Sequence, residues 1–233
     1  MNDCLFFGRN QFPKFFKFKP FKITKPIQIE NENENENENE KQIKQISSNE
    51  YSTIFLFENG KAIEYFTPIQ PYSKKTILKA KTKIQIEENI QKITVGSENE
   101  AILTLERNVF AKGERINPKN PKEFINISSL IEDPNDRIIQ DVVSGAYSIY
   151  LLTSNQNAYG FGSNSYGQLG FDFKTLPKTK KPILMMKNVS KIFSGISSVH
   201  VFLLNSNQEL FVCGNNFCSQ LGLGEIKKRR NTN

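Results

Sequence analysis

His200 is the one histidine of the 233-residue chain, and histidine is the side chain whose ordinary pKa suits general acid–base work near neutral pH. Scattered serines and aspartates allow a Ser-His-Asp set to be assembled on paper, but no spacing marks one out. Standing directly before the apolar stretch Val201-Phe202-Leu203-Leu204, His200 reads as a hydrogen-bonded structural residue. The glycine-rich run from Gly160 through Gly162 to Gly167 resembles a phosphate-cradling loop, yet no amphipathic helix opens behind it, and that chemistry needs the helix N-terminus. Asp133-Pro134-Asn135-Asp136 brings two carboxylates together with turn formers, which makes it a loop turn before it makes a calcium site. Cys4, Cys213 and Cys218 are odd in number and lack paired metal-ligand spacing, so neither a disulfide framework nor a zinc site is expected. No catalytic, cofactor-binding or metal-binding residue is expected, and the compartment is a reducing one.

Charge supplies the remaining chemistry. The net charge is +7 and uneven. Lys14, Lys17, Lys19, Lys22 and Lys25 interleave with Phe12, Phe15, Phe16, Phe18 and Phe21; phosphate contact with base stacking is one use of such a block, and a strand with one buried face is the favoured one. Residues 31–40 alternate Asn and Glu with nothing apolar to bury, so residues 30–42 are expected to form a low-complexity loop insertion without order. Lys227, Lys228, Arg229 and Arg230 lie in a basic tail, 226–233, expected to be disordered and open to an import receptor or to DNA phosphates. The amino terminus offers only Leu5-Phe6-Phe7 as an apolar run, too short for a signal core or a span, so a cytoplasmic or nuclear protein that is neither secreted nor membrane-bound is expected.

The elements that carry these residues are written four times. Windows at 49–66, 96–113, 145–162 and 197–214 each lead from an apolar stretch through a polar turn into a second apolar stretch, which is the pattern of a β-hairpin. Glu58-Asn59-Gly60-Lys61 and Ser154-Asn155-Gln156-Asn157 supply the turn chemistry. The hairpin ends at 66, 113, 162 and 214 are 47, 49 and 52 residues apart, a period that belongs to stacked or radially arranged units. An earlier hairpin end, Phe7-Gly8, falls 58 residues before Phe66, and removing the ten-residue Asn/Glu run leaves 48. A hairpin of this size is marginal alone and must stack on its neighbours. With 37% hydrophobic residues and 19 Phe, a β-rich core is well supplied.

Within this frame, Gly162-Ser-Asn164-Ser-Tyr-Gly167-Gln168-Leu169-Gly170 and Gly214-Asn-Asn216-Phe-Cys-Ser-Gln220-Leu221-Gly222 resemble the G-x-N-x-x-G-Q-L-G signature of the regulator of chromosome condensation repeat. Between them come a proline-led strand (Pro182-Ile183-Leu184), a second strand (Val189 to Ile192) and a small-x-x-His step ending at His200, in the family's order. Towards the amino terminus the match thins: Gly8 and Asn10 are kept, but Pro13 stands at the glycine position, and the windows ending at Phe66 and Gly113 lack G-Q-L-G. At the family's histidine position stand Ser52, Asn99 and Ser148, and its tryptophans give way to Tyr65, Lys112, Phe161 and Cys213. The resemblance implies an all-β fold, a β-propeller of four-stranded antiparallel blades. Residues 1–225 are read as these repeats. Gly96, Gly113, Gly145, Gly162, Gly167, Gly170, Gly214 and Gly222 are assigned to backbone geometry, Leu169 and Leu221 to packing, and Asn164, Asn216, Gln168 and Gln220 to the repeat turn.

Four windows and a leading remnant make about four to five blades, whereas seven at this period need about 350 residues. A partial propeller is therefore expected, through truncation, completion by a second chain or missing blades, or edges covered by the divergent first repeat; truncation is the favoured account. Functionally, the resemblance implies a non-enzymatic protein-interaction scaffold. The alternatives are nucleotide exchange on a Ran-like small GTPase with chromatin association, and a propeller arm of a ubiquitin ligase. A protein partner is expected, a small GTPase among the candidates, with nucleic acid or chromatin the weaker reading and no cofactor.

Overall fold

The computed structural model describes residues 42–66 and 80–223, all within one compact unit. Gly8 and Asn10, the Phe/Lys block, the Asn/Glu run and Lys227 to Arg230 lie outside the described residues.

Four antiparallel sheets account for the described strands, each a meander with neighbours in chain order. The first holds β1 (Ile43–Ser48), β2 (Ser52–Phe57), β3 (Ala62–Phe66) and β4 (Ala80–Lys83). In the second are β5 (Ile90–Val95), β6 (Glu100–Thr104), β7 (Val109–Lys112) and β8 (Ile125–Asn126). The third comprises β9 (Ile139–Ser144), β10 (Ser148–Thr153), β11 (Ala158–Gly162) and β12 (Ile183–Met186). The fourth has three described strands, β13 (Val189–Phe193), β14 (His200–Asn205) and β15 (Leu210–Gly214). None of the described residues forms a helix long and apolar enough to cross a membrane.

The four hairpins share one register. Leu56, Leu103, Leu152 and Leu204 face Ala62, Val109, Ala158 and Leu210 respectively, and Ser52, Ser148 and His200 face Phe66, Gly162 and Gly214. Each turn closes when the last residue of the second strand donates its amide to a carbonyl four residues on: Phe57 to Lys61, Thr104 to Asn108, Thr153 to Asn157 and Asn205 to Glu209. The third turn residue takes a positive φ each time, at Gly60 (77°), Arg107 (67°), Gln156 (62°) and Gln208 (66°). Only Gly60 does so without side-chain strain, which is what the Asn-Gly turn signal anticipates.

Alternation along each strand sends successive side chains to opposite faces, so every sheet has a front and a back to cover. Ile54, Leu56 and Ala62 on the back of the first sheet pack with Ile90, Ile93 and Ile102 of the second. Ala101, Leu103, Val109 and Ala111 then pack with Ile139, Val142, Ile149 and Leu151 of the third, and Tyr150, Leu152 and Ala158 with Val189, Ile192, Val201 and Leu203 of the fourth. Fully burying such a side chain contributes about 1.5–3 kcal/mol, so the sheets are held by their neighbours and not by internal cores.

First strands lie side by side, β1 next to β5 and β5 next to β9. Polar side chains finish this seam. Gln45 treats Ile93 as a strand would, donating Nε2 to its carbonyl at 2.8 Å and accepting its amide at 3.0 Å, while Ser47 Oγ and Thr94 Oγ1 accept the amides of Val95 and Ser144. The architecture is all-β, a partial β-propeller in which four blades are described.

Candidate functional site

In a meander the first and third connections fall at one end of the sheet and the second at the other. Residues 49–51, 96–99, 145–147 and 194–199 therefore share an end with the long segments 113–124, 163–182 and 215–223. Hydrogen bonds knit this end together across sheets. Asn49 Nδ2 donates to the Gly96 carbonyl at 2.7 Å, Asn99 Nδ2 to the carbonyls of Gly145 and Ala146, and the Ala146 amide to the Ser198 carbonyl at 2.8 Å. Ser97 Oγ reaches Ile196 O and Ser197 Oγ two sheets away. A Cβ on Gly96 would lie 2.0 Å from the Gly145 carbonyl oxygen, so glycine is what lets these turns approach.

The two G-Q-L-G segments build the same turn. Asn164 is fully buried; its Oδ1 accepts the Leu169 amide at 2.8 Å while Nδ2 donates to the carbonyls of Phe171 and Leu176. Asn216 Oδ1 accepts the Leu221 amide at 3.0 Å. Gln168 and Gln220 each accept a backbone amide two residues earlier, from Tyr166 and Cys218. Positive φ values at Gly162, Gly167, Gly170, Gly214 and Gly222 bend the chain, and Leu169 and Leu221 are buried beneath it. Gly113 likewise has a positive φ, and a Cβ there would lie 2.3 Å from the Glu98 carbonyl oxygen. The side chains assigned to the repeat turn thus come together in each segment. Their polar groups point into the turn and not out of it.

What points out is aromatic and cationic. Tyr51, Tyr166, Phe171, Phe173 and Phe217 are exposed on this end, Phe217 at 70%. Lys174, Lys178, Lys180 and Lys181 are exposed on the 163–182 segment, where Asp172 is the lone acid. Arg115 stacks on Tyr147 of the next sheet at 4.9 Å and pairs with Glu98.

His200 is half-buried at the start of β14, edge-on to Phe202 at 5.5 Å, and its imidazole makes no hydrogen bond among the described residues. The described residues supply no partner for the hydrogen-bonded histidine expected from the sequence. Ser52 and Asn99, at the equivalent position, bond to the following sheet, and Ser148 Oγ donates to the Ser163 carbonyl. Burial raises the Cys213 thiol to about 12, far from the range of a reactive thiolate. Asp133 Oδ1 caps a short turn, Pro134–Asp136, by accepting the Asn135 amide.

Two charged groupings escape a reading by sequence. Glu64 of β3, with Glu100 and Lys112 of the second sheet, forms a buried cluster at the junction: Lys112 Nζ stands 2.5 Å from Glu64 and 3.1 Å from Glu100, and Ser52 Oγ donates to Glu100 at 2.7 Å. Burial, then the like charge of Glu100, pushes the Glu64 carboxyl up to about 7 against the pull of Lys112. Asp136 accepts from Tyr159 Oη at 2.6 Å and from the amides of Asn157 and Asn155. Burial works to raise its pKa, but these donors outweigh it and hold the carboxyl below its ordinary value. Glu88 repeats the device one sheet earlier on Thr104 and Asn108. The Thr-x-x-x-Asn spacing, Thr104 to Asn108 and Thr153 to Asn157, with a carboxylate 16 or 17 residues ahead, was the available signal.

Comparison with known proteins agrees with this geometry. The family described as Regulator of chromosome condensation (RCC1) repeat matches residues 139–168, which run from β9 into the first G-Q-L-G turn. The Regulator of chromosome condensation of Xenopus laevis is 23% identical over 214 residues, covering 79% of this chain and 50% of that protein. The probable E3 ubiquitin-protein ligase HERC6 of Homo sapiens is 28% identical over 96 residues, 40% of this chain and 9% of that protein. The crystal structure of Prp20p from Saccharomyces cerevisiae, described with its binding properties to Gsp1p and histones, superposes with a TM-score of 0.53 at 20% identity, covering 74% of this chain and 43% of that one. The chain spans half the length of the Xenopus relative and less of the others. On the repeated hairpin register, the paired asparagine turns and these likenesses, the chain carries divergent regulator of chromosome condensation repeats, with residues 139–168 matching the family itself.

Proposed function

We propose that the chain is a non-enzymatic interaction module that receives a protein partner on the end bearing the long loops. The observation that carries this is the knitting of loops from successive sheets into one surface whose outward side chains are aromatic and cationic. Aromatic side chains bring large contact area at low entropic cost, and loops on a fixed scaffold are where binding residues gather. The test is affinity capture on the immobilised chain beside Phe173→Ser/Lys174→Glu, with Glu106→Lys at the opposite end as control. A partner held by the chain and the control, and lost with the loop variant, supports the reading. Equal retention by all three would contradict it.

A second reading is regulation of a Ran-like small GTPase, favoured by the Xenopus relative and by Prp20p, whose description includes Gsp1p and histones. An exchange factor acts by binding the nucleotide-free state more tightly than the loaded one. Release of fluorescent GDP from such a GTPase decides it: a rate unchanged by the chain eliminates the reading. The HERC6 likeness favours a third setting, an arm of a ubiquitin ligase, in which the same loop end recruits the protein to be modified.

A further inference from the structure

At the hairpin turn, each of the first three described sheets receives a backbone hydrogen bond from the next. The positive-φ residue of the hairpin turn offers its carbonyl, and the first amide of the following sheet donates to it: Ile90 to Gly60, Ile139 to Arg107, and Val189 to Gln156. Gln208, at 66°, is the fourth residue of this series. Its carbonyl receives no such bond among the described residues.

The side chains repeat the relationship. On the back of each of the first three sheets, four equivalent positions are buried under the next sheet, for instance Ala101, Leu103, Val109 and Ala111 of the second. Their counterparts in the fourth sheet are Phe202, Leu204, Leu210 and Val212. These are half-buried or exposed, Leu210 at 59%. At the other end of the array, Ile43 and Ile46 occupy the positions of Ile90 and Ile93, of Ile139 and Val142, and of Val189 and Ile192. Those six are at most 5% exposed, whereas Ile43 is 45% and Ile46 55% exposed. One open face therefore has the sockets and the spare carbonyl. The other has the matching knobs.

We propose that a second copy of this chain docks head to tail, its first sheet laid on the back of the fourth. The interface continues the one already made three times: Ile43 and Ile46 of the second copy enter between Phe202, Leu204, Leu210 and Val212, and the Ile43 amide donates to the Gln208 carbonyl. His200 stands where Asn99 reaches the carbonyl of Gly145, so its imidazole, unpaired among the described residues, meets the Asn49 carbonyl of the second copy. Such a contact is heterologous, joining two different patches, and either closes into a ring or propagates. Two copies supply eight described sheets, at the upper end of the roughly four to eight found in propellers. Its main contacts lie on the sheet faces, and it uses none of the exposed aromatic and lysine side chains on which the binding reading above rests.

The test is light scattering coupled to size-exclusion chromatography on the 233-residue chain and two variants, Leu210→Asp and Ile46→Asp. The chain alone is expected at twice its mass of 26.7 kDa. Each variant alone has one face of the pair blocked in every copy and is expected at 26.7 kDa. An equimolar mixture keeps one intact back and one intact front and is expected to form a one-to-one complex, which also shows that both variants are folded. A wild-type monomer at tens of micromolar overturns the proposal, whether the faces stay open or another part of the chain covers them. So does a variant that still dimerises alone, because that means like faces pair, or a mixture that remains monomeric.

Discussion

Lys112 Nζ lies 2.5 Å from Glu64 Oε2 across the junction of the first and second sheets, with Glu100 sharing the same cation from the second sheet. At the equivalent of Lys112 the other sheets carry Tyr65, Phe161 and Cys213, so a charged cluster stands here where apolar packing stands elsewhere. Two carboxylates and one ammonium become neutral only when one proton is kept. Glu64, raised from 4.5 to about 7, keeps it. The folded chain then holds a proton that the unfolded chain releases between those values, so this stabilising contribution is complete below about 4.5 and fades as pH rises to about 7. Glu64→Gln is expected to remove that slope, on the order of 3 kcal/mol at most, in urea unfolding measured from pH 4 to 8. Parallel pH profiles for the chain and the variant would refute it.

Removing the cation is a different experiment. Lys112→Met leaves Glu64 and Glu100 facing each other without a counter-charge, and breaking a buried pair in this way costs about 3–5 kcal/mol. The double variant Glu64→Gln/Lys112→Met should recover part of the loss, since one charge is then removed with its partner. Denaturation midpoints that simply add would show the cluster to be uncoupled.

Asp136 gathers Tyr159, Asn157 and Asn155 on one carboxylate. Hydrogen bonds to a charged acceptor contribute about 1.5–3 kcal/mol each, and loss of the acceptor leaves a buried phenol unpaired. Asp136→Ala should cost at least about 2 kcal/mol, and Glu88→Ala, with two partners at a more open position, less. Because the folded pKa is lowered, the contribution is present at neutral pH and fades as pH falls through the acid range. Equal, small losses for the two variants would remove the distinction.

The glycines separate three kinds of constraint. Gly96→Ala puts a Cβ 2.0 Å from the Gly145 carbonyl and should push the second and third sheets apart. At Gly214, φ is 111° and a Cβ would lie 2.4 Å from the Val199 carbonyl, so Gly214→Val combines clash with strain. Gly222 has φ 67° and open space, which leaves only the left-handed penalty of about 1 kcal/mol. Melting temperatures should fall clearly for the first two and slightly for Gly222→Ala; a uniform response would show that close approach is not what matters.

The hairpins were legible because each writes apolar stretches on either side of a polar turn; the turns at Phe57, Thr104, Thr153 and Asn205 fall where the windows place them. Pro182-Ile183-Leu184 and Val189 to Ile192 were likewise readable, as β12 and β13. First strands were harder. Gln45, Lys92 and Asp141 occupy one repeated position and seal the seam between sheets with hydrogen bonds and an ion pair, which dilutes the apolar signal. β4, written Ala-Lys-Thr-Lys, has almost none. The Glu64 cluster could not be foreseen, since its members sit on different sheets and meet only through the stacking. For the loop end, sequence located the G-Q-L-G turns, but which side chains point outward is decided by Asn164 and Asn216 drawing the chain inward.

Residue-resolved amide hydrogen exchange tests the central claim, that like sheets are laid one on the next in a single register, most directly. The amides of Ile90, Ile139 and Val189 donate across sheets to Gly60, Arg107 and Gln156 and are expected to be as protected as those in the middle of β6, β10 and β14. Free exchange at all three, with the hairpins themselves protected, would mean that the sheets do not stack as described.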